Sequence, residues 1–117
     1  MKTVLIADDD VDLLLLAKLQ LQKAGYRVKL AYNGEGLPKL AAEQHADIIF
    51  LDQSMQGITG EEICRLLKSD QTTSSIPVII FSANDNIECI SRSCGAIDFI
   101  KKPFNLQYLQ DKISRYA

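Results

Sequence analysis

The sequence predicts an α/β fold in which a doubly wound, five-stranded parallel sheet is covered by five helices. Two observations support this prediction. Strand-like and helix-like segments alternate five times along the chain, which favours a parallel sheet with helices on both faces. Several strand-like segments are continuous apolar runs bounded by turn residues, which is typical of strands buried on both faces. The 117 residues are the length of one ordinary domain, and we expect residues 1–117 to form it.

Five short segments rich in apolar residues predict the strands. Three of them are continuous apolar runs, which suit the centre of a sheet. The second segment alternates apolar with basic residues and suits a strand nearer an edge. In chain order the predicted strands are residues 3–7, 26–31, 47–52, 77–82 and 97–101.

Turn and capping residues predict the helices between these strands. The first helix follows three acidic residues, which suit a positive helix N-terminus, and it ends before Gly25. Pro38 fits only the first turn of the second helix. Thr59 and Glu62 resemble a capping box before the third helix, and Asn105 is the predicted cap of the last. In chain order the predicted helices are residues 11–24, 33–44, 59–68, 85–93 and 106–116.

Composition and charge exclude several classes of function. Lys and Arg total 13 against 15 Asp and Glu, so a nucleic-acid-binding surface over the whole domain is not expected. No apolar run is long enough to span a bilayer, and early acidic residues argue against a secretory signal. The three cysteines fit no zinc spacing and suit a reduced, cytoplasmic setting. The only histidine, His45, cannot form a His-based metal site or a Ser-His-Asp triad.

Polar side chains follow the predicted strands at their carboxyl ends, where open parallel sheets bind ligands. In the flavodoxin-like strand order 2-1-3-4-5, the first and third strands are neighbours, so Asp8, Asp9 and Asp52 should share one crevice. Ser82 ends the fourth strand and Lys102 follows the fifth. Three close carboxylates repel one another unless a cation is present, and Mg²⁺ favours such oxygen ligands. With an ammonium and a hydroxyl, this crevice is equipped for phosphoryl transfer to Asp52.

Each feature also has a plainer explanation when it is taken alone. The acidic residues 8–10 can simply charge a helix N-terminus, and Asp52 can end a strand or cap a turn. Ser82 can bond to the backbone, and Lys102 can be an ordinary surface lysine. Their joint placement at strand ends of the predicted order speaks against coincidence.

Four stretches of the chain resemble the receiver domains of two-component response regulators. They are residues 5–10, residues 50–52 with Gly57 and Gly60, residues 81–83, and residues 95–104. Each is weak alone, but together and in order they are specific and cover essentially the whole length. The resemblance implies one receiver domain that works as a phosphorylation-dependent switch. The resemblance also implies that such a domain is not an enzyme, except that it catalyses its own phosphorylation and dephosphorylation.

The resemblance implies roles for the acidic residues of the crevice. Asp52 corresponds to the phosphoacceptor. Asp9 and Asp52 correspond to direct Mg²⁺ ligands, joined by the backbone carbonyl of Ser54, while Asp8 acts mainly through a metal-bound water. Gln56 stands where the family usually has proline, which should loosen the loop after Asp52.

The resemblance also implies a switch on the neighbouring strands. Lys102 would bind the phosphoryl group, and the Lys102–Pro103 peptide bond is expected to be cis. Ser82 would move toward the phosphoryl group, and Phe99 would then turn inward. Because Phe99 has no hydroxyl, a tyrosine-type hydrogen bond to a partner is excluded at this position.

The implied partner is a histidine kinase or a histidine phosphotransfer protein, together with an output partner that the sequence does not identify. The resemblance implies no direct nucleic-acid binding by this domain and no membrane contact, and it allows a phosphorylation-dependent dimer. The sequence ends after the last predicted helix, which suits either a stand-alone regulator or a receiver cut from a longer protein.

On the first helix, Leu13, Leu16 and Ala17 are predicted to face inward with two later residues, Leu21 and Ala24. The surplus Leu14, Leu15 and Leu19 then form either a docking patch or a mixture of core and scattered exposed leucines.

Two other classes of protein remain as alternatives. A haloacid-dehalogenase-like phosphatase also uses an Asp nucleophile with Mg²⁺, but it usually carries a second Asp two residues later, where this chain has Ser54. A degenerate receiver that works only as an interaction module would not need to keep the acidic residues, Ser82 and Lys102.

Overall fold

The computed structural model describes residues 1–55 and 57–117. Its strands are β1 (Thr3–Ala7), β2 (Arg27–Ala31), β3 (Ile48–Asp52), β4 (Val78–Ser82) and β5 (Asp98–Lys101). Its helices are α1 (Val11–Lys23), α2 (Leu37–Glu43), α3 (Gly60–Ser69), α4 (Ile87–Cys94) and α5 (Gln107–Tyr116). The strands pair in parallel in the order β2-β1-β3-β4-β5, which confirms the predicted doubly wound, flavodoxin-like sheet.

The central strands supply side chains to two separate cores, because successive residues of a strand point to opposite faces. Every residue of β1, β3 and β4 is buried. Leu5 and Leu51 belong to the core covered by α2, α3 and α4, whereas Ile6 and Phe50 belong to the core covered by α1 and α5. This burial on both faces explains why these strands are continuous apolar runs in the sequence.

The sheet holds the polar residues of its carboxyl edge in place. Asp52 is the last residue of β3, and Ser82 is the last residue of β4. Hydrogen bonding between strands continues just beyond the strand ends. The Asp8 N–H donates to the Ala31 carbonyl at 3.1 Å, and the Lys102 N–H donates to the Ser82 carbonyl at 2.8 Å. The sheet therefore fixes the backbone of these residues.

The second helix starts at Leu37, later than the predicted start at Asn33. The Asn33 side chain accepts the Glu35 N–H at 3.1 Å, and this contact stabilises a turn instead of a first helical turn. Gly36 then precedes the helix with a φ of 76°, a conformation that favours glycine. Pro38 lies in the first turn, as predicted.

Of the two capping residues predicted for α3 and α5, one is confirmed and one is wrong. Thr59 and Glu62 form the predicted capping box at the start of α3. The predicted cap at Asn105 is wrong, because Leu106 occupies the cap position of α5 and makes no side-chain capping bond.

The buried face of α1 differs from the predicted one. Leu14, predicted to be surplus, is fully buried, whereas Leu16, predicted to face inward, is 58% exposed. Four consecutive leucines at positions 13–16 leave the rotation of the helix ambiguous in the sequence. The buried residues of α1 are Leu14, Ala17 and Leu21. Its exposed leucines are Leu15, Leu16 and Leu19.

Three local features complete the fold. The Lys102–Pro103 peptide bond is cis, as predicted. His45 is exposed just after α2, with a positive φ of 51°. Among the described residues, no helix combines the length and apolar character that crossing a bilayer would require.

Candidate functional site

Three carboxylates meet at the carboxyl edge of the sheet. Asp8 follows β1 and is fully buried, and its Oδ1 accepts the Asp10 N–H at 2.9 Å. Asp52 at the end of β3 is 4% exposed, whereas Asp9 is exposed to solvent. One oxygen from each of Asp8, Asp9 and Asp52 lies within 4.8 Å of the others. The structure thus brings together the acidic residues of two distant segments.

The ammonium group of Lys102 lies against the two buried carboxylates. Its Nζ is 3.1 Å from Asp8 Oδ2 and 3.4 Å from Asp52 Oδ1. The same Nζ lies 5.1 Å from the centre of the Phe81 ring, which packs edge-on against Phe104 at 5.7 Å between ring centres. The ammonium is therefore held between an aromatic face and the acidic cluster.

One ammonium does not balance the negative charge of this cluster. Burial and the nearby charge of Asp8 raise the pKa of Asp52 from 3.8 to about 6, although the Lys102 charge and the Ser54 N–H act in the opposite direction. Burial lowers the pKa of Lys102, but the hydrogen bond to Asp8 and the charges of Asp52 and Asp8 outweigh it, so this pKa is raised. The site thus carries an excess of negative charge that a divalent cation would neutralise.

The residues present fit Mg²⁺. Mg²⁺ prefers hard oxygen ligands, and proteins often bind it through one or two carboxylates and several waters. Asp8, Asp9 and Asp52 supply carboxylate oxygens, and the exposed position of Asp9 leaves one side of the cluster open to water. Gln56, the predicted departure in the loop after Asp52, lies outside the described residues.

The two predicted switch residues lie on adjacent strands. Ser82 is buried at the end of β4, and its Oγ accepts the Asn84 N–H at 3.0 Å. Phe99 lies on β5 and is half-buried against the core beneath α2, α3 and α4. Its Cα pairs with that of Ile80, two residues before Ser82, on the neighbouring strand. The hydroxyl of Ser82 is thus engaged with its own loop in this structure.

Two features of the site were missed by sequence reasoning. A Cβ on Gly60 would lie 2.6 Å from the Asp52 carbonyl oxygen, so glycine allows α3 to begin against the strand end. The Gln53 side chain accepts the Glu61 N–H at 2.8 Å and holds the same helix start. Gly60 was part of the recognised pattern, but its close approach to Asp52 depends on how α3 packs.

The second missed feature is a cavity of about 360 Å³ beside the acidic cluster. Lys102 is part of its lining, so the cavity adjoins the carboxylates that this lysine contacts. Three separate segments form it, and no one of them signals a cavity in the sequence. Its lining residues are Asp10, Leu13, Ala83, Lys102, Pro103 and Phe104.

Comparison with known proteins places this architecture in a family. The family model described as "Response regulator receiver domain" matches residues 4–114. The transcriptional regulatory protein AfsQ1 of Streptomyces coelicolor is 35% identical over 115 residues, which are 97% of this chain and 50% of that protein. This chain spans about half the length of the curated relatives it matches.

Solved structures agree with this assignment. The chemotaxis protein CheY4 of Vibrio cholerae has a TM-score of 0.91 at 25% identity, covering 100% of this chain and 99% of that one. The response regulator TrrA of Thermotoga maritima, solved in complex with Mg²⁺ and BeF, has a TM-score of 0.88 at 28% identity, covering 100% of both chains. The chain therefore belongs to the receiver-domain family of two-component response regulators.

Proposed function

We propose that residues 1–117 form one phosphorylation-dependent signalling switch, which accepts a phosphoryl group on Asp52 from a histidine kinase or a histidine phosphotransfer protein. The observation that carries this proposal is the convergence of Asp8, Asp9 and Asp52 within 4.8 Å, with the Lys102 ammonium beside them. Receiver domains act as signalling switches and not as metabolic enzymes, so family membership also argues against the dehalogenase-like phosphatase.

The chemistry needs no general base. The pKa of Asp52 is about 6, so its carboxylate is mostly ionised at neutral pH and can attack phosphorus directly. A bond forms between a carboxylate oxygen and phosphorus, and the bond from phosphorus to the donor's leaving group breaks. The leaving group is an imidazole for a phosphohistidine donor or acetate for acetyl phosphate. Lys102, 3.4 Å from Asp52, is placed to pair with the phosphoryl oxygens.

Asp9 and Asp52 would hold Mg²⁺ directly, together with the backbone carbonyl of Ser54, and Asp8 would act mainly through a metal-bound water. The ion would supply positive charge that offsets the charge of the phosphoryl oxygens. Two buried carboxylates that share a single ammonium support this assignment, because the cluster is short of positive charge without it.

Ser82 and Phe99 form the proposed switch, with α4 and β5 as the elements that respond. The phosphoryl group carries roughly −1.5 to −2 charges in place of the single charge of the Asp52 carboxylate, and this larger charge attracts hydroxyl donors. Ser82 lies at the end of the strand next to Asp52, and its hydroxyl hydrogen can donate to the new group. Structures with and without a beryllofluoride mimic test this switch, and a mimic-bound structure with both residues unmoved would count against it.

The exposed leucines of α1 are the proposed docking patch for the phosphoryl donor. Leu15, Leu16 and Leu19 are about half exposed, and Leu16 and Leu19 line a groove of about 310 Å³ that reaches Leu106. The test is the substitution Leu15→Glu, with Leu66→Glu on α3 as the matched control, because Leu66 is equally exposed. We expect Leu15→Glu to slow transfer from a phosphorylated histidine phosphotransfer protein at least tenfold and to leave acetyl phosphate labelling unchanged. Equal rates for both variants would contradict the patch.

The phosphoacceptor is tested by incubation with acetyl phosphate and Mg²⁺, followed by measurement of the intact mass. We expect the wild type to gain one phosphoryl group and Asp52→Asn to gain none. Asp12→Asn on the exposed side of α1 is the control and should behave as the wild type. Labelling of Asp52→Asn, or sustained turnover of a phosphate-ester substrate by the wild type, would contradict the proposal.

A further inference from the structure

Two cysteines meet where α3 packs against α4. Cys64 of α3 is fully buried, and Cys94, the last residue of α4, is 4% exposed. The Cys64 thiol donates to the Cys94 carbonyl at 3.3 Å, and the Cys94 thiol donates to the Ser91 carbonyl of its own helix at 3.5 Å. The third cysteine, Cys89, is exposed. Two buried cysteines separated by 30 residues of chain are thus in contact in one core.

The approach of α4 to α3 is close on both sides of this pair. The Ser93 hydroxyl donates to the Glu61 carboxylate at 3.1 Å. A Cβ built on Gly95 would lie 3.3 Å from Cγ of Lys68, one turn further along α3 than Cys64. The end of α4 therefore runs along one stripe of α3, with the two cysteines in the middle of the contact.

We propose that Cys64 and Cys94 form a reversible disulfide that ties α3 to the end of α4, with a low-molecular-weight disulfide such as glutathione disulfide as the oxidant. The Cys94 thiolate attacks one sulfur of the oxidant, whose sulfur–sulfur bond breaks and releases one small thiol. Cys64 then loses its proton to solvent, its sulfur attacks the Cys94 sulfur, and the second small thiol leaves. Two protein sulfurs are oxidised, and the two sulfurs of the oxidant are reduced.

The surroundings of the pair favour a reactive Cys94. Interaction with the Cys64 side chain lowers the pKa of Cys94, with help from the Ala96 N–H and against the effect of burial. The interaction with Cys94, together with burial, raises the pKa of Cys64. The thiolate is the nucleophile in exchange with disulfides. Cys94 is the last residue of its helix, and helix ends open locally more readily than helix centres.

A disulfide at this place would act on the same helix as the proposed phosphorylation switch, through different atoms. The chain between the two cysteines contains β4 with Ser82 and almost all of α4. A covalent bond to α3 would fix the end of α4 and limit its movement. Oxidation of the pair does not depend on Asp52, so the two proposals stand or fall separately.

The test is equilibration of the whole domain in reduced and oxidised glutathione, then acid quenching, alkylation and peptide mapping. The variant Cys89→Ser removes the exposed thiol and should lose two hydrogen atoms in mass, with Cys64 and Cys94 in one crosslinked pair of peptides. Dithiothreitol should restore the reduced mass, and Cys89→Ser combined with Cys64→Ala should show no crosslink. The wild-type map gives the same assignment without depending on how the variants fold.

Three outcomes would overturn the proposal. One is glutathione attached only to Cys89 of the wild type, with Cys64 and Cys94 both alkylated after unfolding. Another is a crosslink that joins Cys89 to either of the other cysteines. The last is a Cys89→Ser protein that keeps its reduced mass in fully oxidised glutathione.

Discussion

Asp98 and Asp52 each contact a lysine, but their pKa values shift in opposite directions. Comparing the two sites shows what makes the acidic cluster reactive. The Asp98 carboxylate on β5 accepts three hydrogen bonds. The donors are Lys112 Nζ at 2.6 Å, the Tyr116 hydroxyl at 2.9 Å and the Phe99 N–H at 2.8 Å. Burial raises the pKa of Asp98, but these donors outweigh it, and its pKa is lowered. Asp52 shares one ammonium with a second buried carboxylate, and its pKa is raised to about 6.

The difference lies in the number of donors for each negative charge. Asp98 is one charge with a lysine, a hydroxyl and a backbone amide of its own, which is a satisfied ion pair. At the carboxyl edge of the sheet, Asp8 and Asp52 are both buried, and both contact the single ammonium group of Lys102. A carboxylate without enough donors binds cations and reacts, whereas a satisfied carboxylate stabilises the fold.

The largest expected effect is the loss of stability in Asp98→Asn. The substitution removes the charge that Lys112 pairs with and weakens the bond from Tyr116, which should lower the free energy of unfolding by about 2 kcal/mol. Chemical denaturation measures this change, and labelling by acetyl phosphate should be unaffected because Asp98 lies outside the acidic cluster. An Asp98→Asn variant as stable as the wild type would contradict the claim that the Asp98 carboxylate stabilises the fold.

Asp52→Asn, in contrast, should increase the stability of the protein without Mg²⁺ at pH 7.5. Removing one of two buried, mutually repelling carboxylates should raise the free energy of unfolding by about 1–2 kcal/mol, less than the upper bound of about 3 kcal/mol that a shift of about two pKa units allows. Denaturation of both variants in one experiment gives the comparison directly. Destabilisation by Asp52→Asn would show that its charge is already balanced.

Addition of Mg²⁺ should separate the same two variants. At ten times the dissociation constant, a ligand that binds only the folded state adds about 1.4 kcal/mol of stability. We expect this gain in the wild type and in Asp98→Asn, and a much smaller gain in Asp52→Asn, when melting is followed with Mg²⁺ and then with excess chelator. Equal gains in all three proteins would place the ion elsewhere.

The smallest effect is the pH dependence without Mg²⁺. Because the folded-state pKa of Asp52 is raised, the folded state binds more protons between pH 3.8 and about 6, so its contribution to stability falls as the pH rises through that window. The contribution of Asp98 runs the other way, since its lowered pKa makes stability fall as the pH drops below 3.8. The difference in unfolding free energy between wild type and Asp52→Asn, measured from about pH 5.6 to 7.5, should grow by about 0.7 kcal/mol. A constant difference would contradict the raised pKa.

The fold and the acidic cluster were both predictable from sequence, for a physical reason. Strands buried on both faces leave unbroken apolar runs, and parallel strand order then fixes which carboxyl ends are neighbours. Asp8 and Asp52 follow directly from those two facts. The late start of α2 has a local cause, because the Asn33 side chain accepts the N–H of Glu35, two residues further on. Asn33 favours a helix start as well as such a turn, so the sequence alone did not distinguish the two.

Other features depend on packing angles that no local pattern contains. Leu14 and Leu16 exchange places because four adjacent leucines allow more than one rotation of α1. The contact between Asp98 and Lys112 requires the rotation of α5 against β5, and the meeting of Cys64 with Cys94 requires that of α4 against α3. These contacts became visible only once the helices were placed.

The most direct test of the difference between the two carboxylates is a carbon-detected NMR titration of the Asp side chains without Mg²⁺. We predict that Asp52 titrates near pH 6, that Asp98 titrates below 3.8, and that added Mg²⁺ removes the high transition of Asp52. An Asp52 carboxyl that titrates at or below 3.8 in the metal-free protein would contradict the charge-deficient site on which the proposed phosphoryl acceptor depends.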